Sequence, residues 1–209
     1  MIITTNELIQ IFRYQPSRQE PNARLQHSAV MMILLDREVQ AVSHSHLVLI
    51  MKATDGSRHS GQIAFPGGKV EPGETSALAA LRETQEEIGI APEQLEVLGS
   101  LGYFSTMTTG YDAAVYVARP RTALQYAPHT GEVAAVFEIP IHLLLAQFNH
   151  VLQIHAPADM LQLHFHLPAA PFVKFQAPGR SFQNRQICIW GFTARVLQHF
   201  FQTKMLLAS

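Results

Sequence analysis

The chain has 209 residues, of which 47% are hydrophobic and 15% are charged, and its formal net charge is −1. This length suits one packed domain, and the near-neutral charge without a basic run argues against nucleic acid as a partner. The longest apolar run, Ala29 to Leu35, is too short to cross a membrane, and the first residues lack a secretory signal, so we expect a cytoplasmic protein with no membrane partner.

The beginning of the chain is predicted to form a helix and an arm. Thr4 and Glu7 have the spacing of a capping box, which predicts a short helix over residues 5–13. Two prolines in residues 14–27 indicate a linker or arm. We therefore expect an N-terminal helix and arm at residues 1–27 and a single domain at residues 28–209.

The main domain is predicted to begin with strands and a glycine loop. Residues 29–35 and 47–51 are apolar strand candidates, separated by the mostly polar connection 36–46. A short strand at residues 63–65 leads into Pro66, Gly67 and Gly68, which predict a loop.

The clearest helix is predicted at Ser76 to Ile88, because Gly89 stands where a helix usually stops. A second long helix, Phe- and Leu-rich, is predicted at 193–206; it either covers the sheet or faces a second subunit, so a homodimer is an open possibility. Further strands are predicted at residues 95–104, 113–118, 133–139, 151–155 and 161–167, the last two as a hairpin. Mixed strands with few helices predict an α+β layered fold.

The helix at Ser76 to Ile88 would carry a face of carboxylates. Glu83, Glu86 and Glu87 stand at i, i+3 and i+4, so they share one side. Two carboxylates about 6 Å apart repel by about 3 kcal/mol at an effective dielectric of about 20. The face is either a solvated surface, in which Arg82 pairs with Glu86, or a site for Mg²⁺ or Mn²⁺, which favour oxygen ligands.

The wider pattern favours the metal site. It resembles the Nudix box, G-x5-E-x7-R-E-U-x-E-E-x-G-U, where U is aliphatic, at all specified positions except Thr84. The threonine hydroxyl is expected to bond back to the carbonyl of Ala80, which would preserve its packing role. The matching residues are Gly68, Glu74, Arg82, Glu83, Glu86, Glu87, Gly89 and Ile90.

The resemblance implies a Nudix-type α/β/α sandwich around a mixed β-sheet, and hydrolysis of a nucleoside diphosphate linked to another group. It implies that Arg82 and Glu74 orient the metal-binding cluster, and that the base which takes a proton from water is Glu83 or the downstream Glu132. The implied metal ligands are the carbonyl of Gly67 and the carboxylates of Glu83, Glu86 and Glu87.

The flanking sequence resembles the extra motif of coenzyme A pyrophosphatases, which carries residues Gly61 and 65–68 in this spacing. For coenzyme A the products would be 3′,5′-ADP and 4′-phosphopantetheine. Lys52 and Ser57 stand where the motif has arginines, and lysine lacks the planar fork of arginine. The candidate substrate-binding residues are Lys52, His59, Gln62, Phe65 and Tyr111.

Two alternative functions follow from the presence of Lys52 and Ser57 at the arginine positions of the motif. One is a broader Nudix pyrophosphatase that acts on ADP-ribose, NADH or nucleotide sugars. The other is a Nudix-fold module that binds a ligand without turnover, although such modules typically lose glutamates of the box and none is lost here.

The sequence also holds 11 histidines and a single cysteine, Cys188. His44 and His46, and likewise His164 and His166, would each place two rings on one side of a strand, which suits zinc. No third ligand lies near either pair in the sequence, so structural or surface histidines are favoured. Cys188 lies in an apolar run and is not expected to act as a nucleophile.

Overall fold

The computed structural model describes residues 20–39, 42–53, 61–106, 110–153 and 164–208. The helix predicted at 5–13 and two motif residues, Ser57 and His59, lie outside the described residues. The described α-helices are α1 (Ser76–Ile88), α2 (Ile141–Gln153) and α3 (Gly191–Ala208). The described strands are β1 (Gln26–Val39), β2 (Val42–Lys52), β3 (Ile63–Ala64), β4 (Gly67–Lys69), β5 (Leu95–Ser105), β6 (Tyr111–Pro120), β7 (Val133–Pro140), β8 (Phe165–Pro168), β9 (Val173–Gln176) and β10 (Gln186–Ile189).

The main sheet is mixed, as expected for the α+β fold. Its strand order is β5-β6-β1-β2-β7-β9, with β3 paired to β2 and β4 paired to β1. Strands β1 and β6 run parallel, whereas the other pairs in this sheet are antiparallel. Strands β8 and β10 form a separate antiparallel pair.

Both faces of the main sheet are covered, which confirms the α/β/α sandwich. Alternate side chains of β1 enter two different hydrophobic clusters, because successive residues of a strand point to opposite faces. Met31 and Ile33 pack in the cluster that contains Ile88 of α1. Met32 and Leu34 pack in the cluster that contains the buried faces of α2 and α3.

The first hairpin is longer than predicted. The polar residues 36–46 do not form a long connection, because β1 and β2 stay paired from Leu34↔Leu47 to Val39↔Val42. Polar side chains are compatible with such a ribbon when they pair across it. Ser45 Oγ donates to Asp36 Oδ1 at 2.7 Å.

Gly67 and Gly68, predicted with Pro66 as a loop, belong to strand β4, which pairs with β1. Gly67 has φ 149°, and a Cβ on it would lie 2.3 Å from the carbonyl oxygen of Ala29. Gly67 therefore allows β4 to lie close to β1. The glycine content of a segment does not by itself distinguish such a close strand contact from a turn.

The hairpin predicted from residues 151–155 and 161–167 is wrong. Residues 151–153 belong to α2, and β8 pairs with β10 instead. An apolar run does not by itself distinguish a buried helix from a strand. Helix α2 buries Ile141, Leu144 and Phe148 in the core.

Helix α1 has the predicted bounds, and α3 covers the sheet of its own chain. Val196, Leu197 and Phe200 are buried there, and the Thr193 hydroxyl donates to the carbonyl of Ile63 at 3.1 Å. Within the described part of the chain, no helix is both long and apolar enough to span a membrane.

Candidate active site

Helix α1 is held at both ends by local caps. The Thr75 side chain accepts a hydrogen bond from the backbone N–H of Leu78 at 3.3 Å. At the other end Gly89 adopts the left-handed conformation with φ 75°, and its N–H donates to the carbonyl of Gln85 at 2.9 Å. These caps define a helix on which the three glutamates share a side.

The opposite side of α1 packs on the sheet as the sequence predicts. Thr84 and Ile88 are fully buried, and Leu81 is partly buried against the same cluster. The Thr84 hydroxyl donates to the carbonyl of Ala80 at 2.7 Å. Threonine therefore fills the aliphatic position of the box with its polar group satisfied inside the helix.

Arg82 bridges three carboxylates. Its Nη2 lies 2.9 Å from Glu74 Oε1, and its Nη1 lies 3.0 Å from Glu83 Oε1 and 2.9 Å from Glu86 Oε2. It also donates to the carbonyl of Lys69 at 3.0 Å. These contacts, above all the hydrogen bond to Glu74, raise the pKa of Arg82, so the guanidinium stays charged.

Glu87 is the buried carboxylate of the helix, with 1% of its surface exposed. Its Oε2 accepts a hydrogen bond from the Gly67 N–H at 2.9 Å, and its Oε1 forms an ion pair with the Lys52 ammonium. Burial raises the pKa of Glu87, although Lys52 and the Gly67 N–H oppose that effect. Lys52, predicted to bind substrate, thus contacts a predicted metal ligand here.

Glu83 lies against Gly68 of strand β4. A Cβ on Gly68 would come within 2.4 Å of the Glu83 carboxyl carbon, so the first glycine of the box leaves room for that side chain. Burial also raises the pKa of Glu83, an effect that Arg82 opposes.

The donor set fits a hard divalent cation, because the carboxylates are oxygen donors that are partly removed from water. In this structure Arg82 and Lys52 occupy carboxylate oxygens of all three glutamates. Among the described residues, the set of three potential ligands whose donor atoms lie within 4.8 Å of one another is elsewhere, at His164, His166 and Cys188. A cation that bound the three glutamates would therefore compete with Arg82 and Lys52.

The predicted substrate-binding residues differ in burial and in their contacts. Phe65 is 2% exposed and packs in the core, and a substrate contact by this residue stays a prediction. Gln62 is half-buried, and its carbonyl accepts from the Lys52 N–H at 2.9 Å. Tyr111 begins β6, with the ammonium of Lys69 5.9 Å from its ring centroid.

Glu132 lies beside the site at the start of β7. Its carbonyl accepts from the N–H of Ala53 at 2.7 Å, which connects it to the end of β2 that carries Lys52. Its side chain is 58% exposed, and its Oε1 is 3.4 Å from His129 Nδ1. The carboxylate is thus accessible to solvent.

Two features of the site were missed from the sequence. Lys69 contributes its carbonyl to Arg82 and its ammonium to the Tyr111 ring, and only its position after the two glycines hinted at this role. The loop that follows β6 closes the C-terminal end of α1: the N–H groups of Ala127 and His129 donate to the carbonyls of Ile88 and Glu87 at 3.0 and 3.1 Å. No local pattern could have revealed that contact.

The fold, the loop and the helix with its glutamates identify the class of protein. The NUDIX domain family matches residues 25–158. The chain therefore belongs to the Nudix family of pyrophosphohydrolases, enzymes that generally use divalent metal ions and act on small nucleoside diphosphate compounds.

Among its relatives are proteins described as uncharacterized Nudix hydrolase NudL. The one from Escherichia coli O7:K1 is 37% identical over 152 residues, which cover 72% of each chain. The one from Cronobacter sakazakii is 38% identical over 149 residues, which cover 70% of this chain and 73% of the relative.

Two solved structures of Nudix proteins have lower sequence identity to this chain. A Nudix hydrolase from M. smegmatis, RenU, aligns with a TM-score of 0.48 and 17% identity, over 63% of this chain and 88% of that one. The NUDIX domain of Shewanella oneidensis NrtR, crystallised with ADP ribose, aligns with a TM-score of 0.43 and 19% identity, over 77% and 94%.

Proposed function

We propose that the protein hydrolyses coenzyme A or its acyl derivatives to 3′,5′-ADP and 4′-phosphopantetheine or its acyl form, with Mg²⁺ or Mn²⁺ as cofactor. The observation that carries the hydrolytic part is the gathering of Glu83, Glu86 and the buried Glu87 around Arg82 and the Gly67–Gly68 backbone. The substrate part rests on the motif before the box.

The glutamates Glu83, Glu86 and Glu87, with the carbonyl of Gly67, would hold the metal. When bound, the metal would polarise the phosphoryl oxygens, lower the pKa of water and neutralise charge on the leaving phosphate. Arg82 would orient Glu83 and Glu86, because its Nη1 contacts both of them.

A carboxylate must also accept the proton of the attacking water. Glu83 is suited by its place in the glutamate cluster, where it lies against Gly68 and is held by Arg82. Glu132 is suited by its exposure and by its backbone contact beside Lys52. The proposal keeps both as candidates for the general base.

A second candidate, a broader pyrophosphatase that acts on ADP-ribose, NADH or nucleotide sugars, is favoured by one observation. The ammonium of Lys52, which stands where the coenzyme A motif has an arginine, contacts Glu87. A lysine engaged in this way grips a phosphate less well than a free planar guanidinium.

The test is separation of products by chromatography after incubation of the protein with coenzyme A, ADP-ribose or NADH and Mg²⁺. We expect 3′,5′-ADP from coenzyme A, with the highest kcat/KM of the three. A higher value for ADP-ribose or NADH would support the second candidate.

Variants separate catalysis from binding. We expect Glu87→Gln to lower kcat by at least about 100-fold, the scale on which the loss of one electrostatic catalytic group acts. The exposed Glu93→Gln, in the turn Pro92–Gln94, is the matched control and should keep parental activity. Absence of turnover in the parent, with ligand binding equal in Glu87→Gln, would instead identify a non-catalytic binding module.

A further inference from the structure

A second cluster of potential metal ligands lies on the small sheet formed by β8 and β10. The donor atoms of His164, His166 and Cys188 all lie within 4.8 Å of one another. His166 Nε2 is 3.9 Å from Cys188 Sγ, and the two histidine rings have centroids 6.1 Å apart. The fold thus supplies the third ligand that the sequence around the histidine pair lacks.

Strand alternation puts these side chains together. Phe165 and Leu167 are buried in the core, so His166 of β8 and His164, just before this strand, face outward. Ile187 and Ile189 are likewise buried, which turns Cys188 to the same outer side. Cys188 stands directly opposite His166 in the antiparallel register, so the contact is a property of the ladder.

Helix α2 holds the backbone of β8 at His166. The Gln147 side chain donates to the carbonyl of His166 at 2.8 Å, and its oxygen accepts from the His166 N–H at 3.0 Å. This double hydrogen bond holds the backbone of β8. The ligands are therefore supported by an ordered backbone before any ion binds.

Two imidazoles and one thiolate are a donor set for a borderline-soft divalent cation, unlike the oxygen donors of the box. At Zn–N and Zn–S bond lengths of about 2.1 and 2.3 Å, tetrahedral donors lie about 3.4 to 3.6 Å apart. The observed separations, which reach up to 4.8 Å, need to close by at most about 1.4 Å, which side-chain rotation can supply. We propose that His164, His166 and Cys188 bind Zn²⁺, with the fourth position open to solvent.

The thiol is suited to this role rather than to nucleophilic chemistry. Burial raises the pKa of Cys188, so the free group stays protonated at neutral pH. A divalent cation at the thiol displaces that proton. The ion would then join β8 to β10, and no residue of the proposed hydrolytic site takes part.

The test uses Co²⁺ as a spectroscopic probe of the full-length protein, with Mg²⁺ in excess to occupy carboxylate sites. A near-ultraviolet charge-transfer band reports a thiolate bound to Co²⁺. We expect one Co²⁺ per chain with this band, displaced by Zn²⁺. Cys188→Ser should abolish the band, and His166→Ala should weaken Co²⁺ binding by at least about 100-fold, beyond the usual cost of losing an outer-shell partner.

His44→Ala removes a ring from the other His-x-His pair and is the matched control, so its band should equal that of the parent. A second measurement leaves Cys188 in place: Zn²⁺ should slow reaction of the thiol with a disulfide reagent by at least about tenfold in the parent, but not in His166→Ala. A band that survives in Cys188→Ser, or a thiol that Zn²⁺ does not protect, would overturn the proposal. Hydrolysis with Mg²⁺ should be unchanged in Cys188→Ser, so the two sites are tested separately.

Discussion

Glu87 has different partners for its two carboxylate oxygens. The Gly67 N–H binds one and the Lys52 ammonium binds the other, while the carboxylate is almost fully buried. A buried carboxylate without a nearby cation is strongly disfavoured. Lys52 therefore supplies, in the metal-free protein, the positive charge that a divalent ion would supply in the active one.

We predict that Lys52→Met lowers the free energy of unfolding of the metal-free protein by about 2 to 3 kcal/mol, because Glu87 loses its cation. Saturating Mg²⁺ should restore more stability to this variant than to the parent, because the ion replaces Lys52 instead of competing with it. Thermal unfolding with and without Mg²⁺ measures both effects.

The control is Lys174→Met. Lys174 lies 3.6 Å from another buried glutamate, Glu138, which also has Arg37 as a partner. Its stability change should be the same with and without Mg²⁺. An equal response of both lysine variants to Mg²⁺ would show that Lys52 does not compensate the charge of Glu87.

At the scale of single residues, the spacing of Glu83, Glu86 and Glu87 in the sequence predicts that they share one side of a helix with Arg82 beside them, because a helix has a fixed periodicity. The spacing could not reveal that Lys52 contacts Glu87, since that contact joins β2 to α1 over a separation of 35 residues along the chain. It also could not reveal that Phe65 faces the core, because a short segment beside a glycine loop has no long periodic pattern.

Helix α1 ends against a loop from elsewhere in the chain. Gly89 has φ 75°, and a Cβ on it would lie 2.8 Å from both the Cβ and the carbonyl oxygen of Ala127. The glycine thus serves two purposes, a left-handed cap and a close approach of two backbones. Because His129 also donates to the Glu87 carbonyl, this contact supports the end of the helix that carries the buried carboxylate.

We predict that Gly89→Ala lowers the free energy of unfolding by about 2 to 4 kcal/mol, from backbone strain plus the clash with Ala127. Gly179→Ala is the matched control: Gly179 has φ 77° and nothing within 4 Å of its Cβ position. It should cost only about 1 to 2 kcal/mol. Urea unfolding of both proteins gives the difference, and equal losses would contradict the contact with Ala127.

The elements that the sequence predicts well have their signals in local chemistry. Helix α1 has a capping threonine and a terminal glycine, so its bounds are correct. Residues 151–153 carry an apolar run without such signals, and they belong to α2 rather than to a strand. The pairing of β8 with β10 depends on tertiary packing, which a local pattern does not contain.

At the scale of the whole molecule, one buried carboxylate joins several parts of the fold. Glu138 of β7 accepts hydrogen bonds from Arg37 of β1, at 2.6 and 2.9 Å, and from the Tyr126 hydroxyl, at 2.8 Å. Lys174 of β9 lies 3.6 Å away. Burial alone would raise the pKa of Glu138, but these partners outweigh it, so the pKa lies below the ordinary value.

Because the pKa of Glu138 is lower in the folded state than in the unfolded state, the unfolded state binds more protons at pH values around these two pKa values. The stabilisation is therefore present above the ordinary glutamate pKa and is lost as the pH falls through the folded value. We predict that Glu138→Gln costs about 3 kcal/mol at pH 7, and that this penalty shrinks below about pH 4. Urea unfolding as a function of pH measures it.

Glu96→Gln is the surface control, because Glu96 pairs with Arg119 at 2.9 Å and both side chains are more than a third exposed. It should cost much less than Glu138→Gln, because solvent screens an exposed ion pair. A penalty for Glu138→Gln that is no larger than this, or that stays constant with pH, would contradict a buried network that links the strands. This network was absent from the sequence prediction, because its four residues are far apart along the chain.

Two backbone hydrogen bonds join the end of β2 to the residues just before β3. The Gly61 N–H donates to the carbonyl of Lys52 at 3.2 Å, and the Lys52 N–H donates to the carbonyl of Gln62 at 2.9 Å. The connection between these hydrogen bonds contains Ser57 and His59, which belong to the motif on which the proposed substrate rests. Because the entropy of loop closure grows slowly with length, a connection that is closed at its base can change in length or sequence at little cost to the fold. Under the proposed function, the residues that select the diphosphate can therefore vary while the glutamates of α1 stay in place.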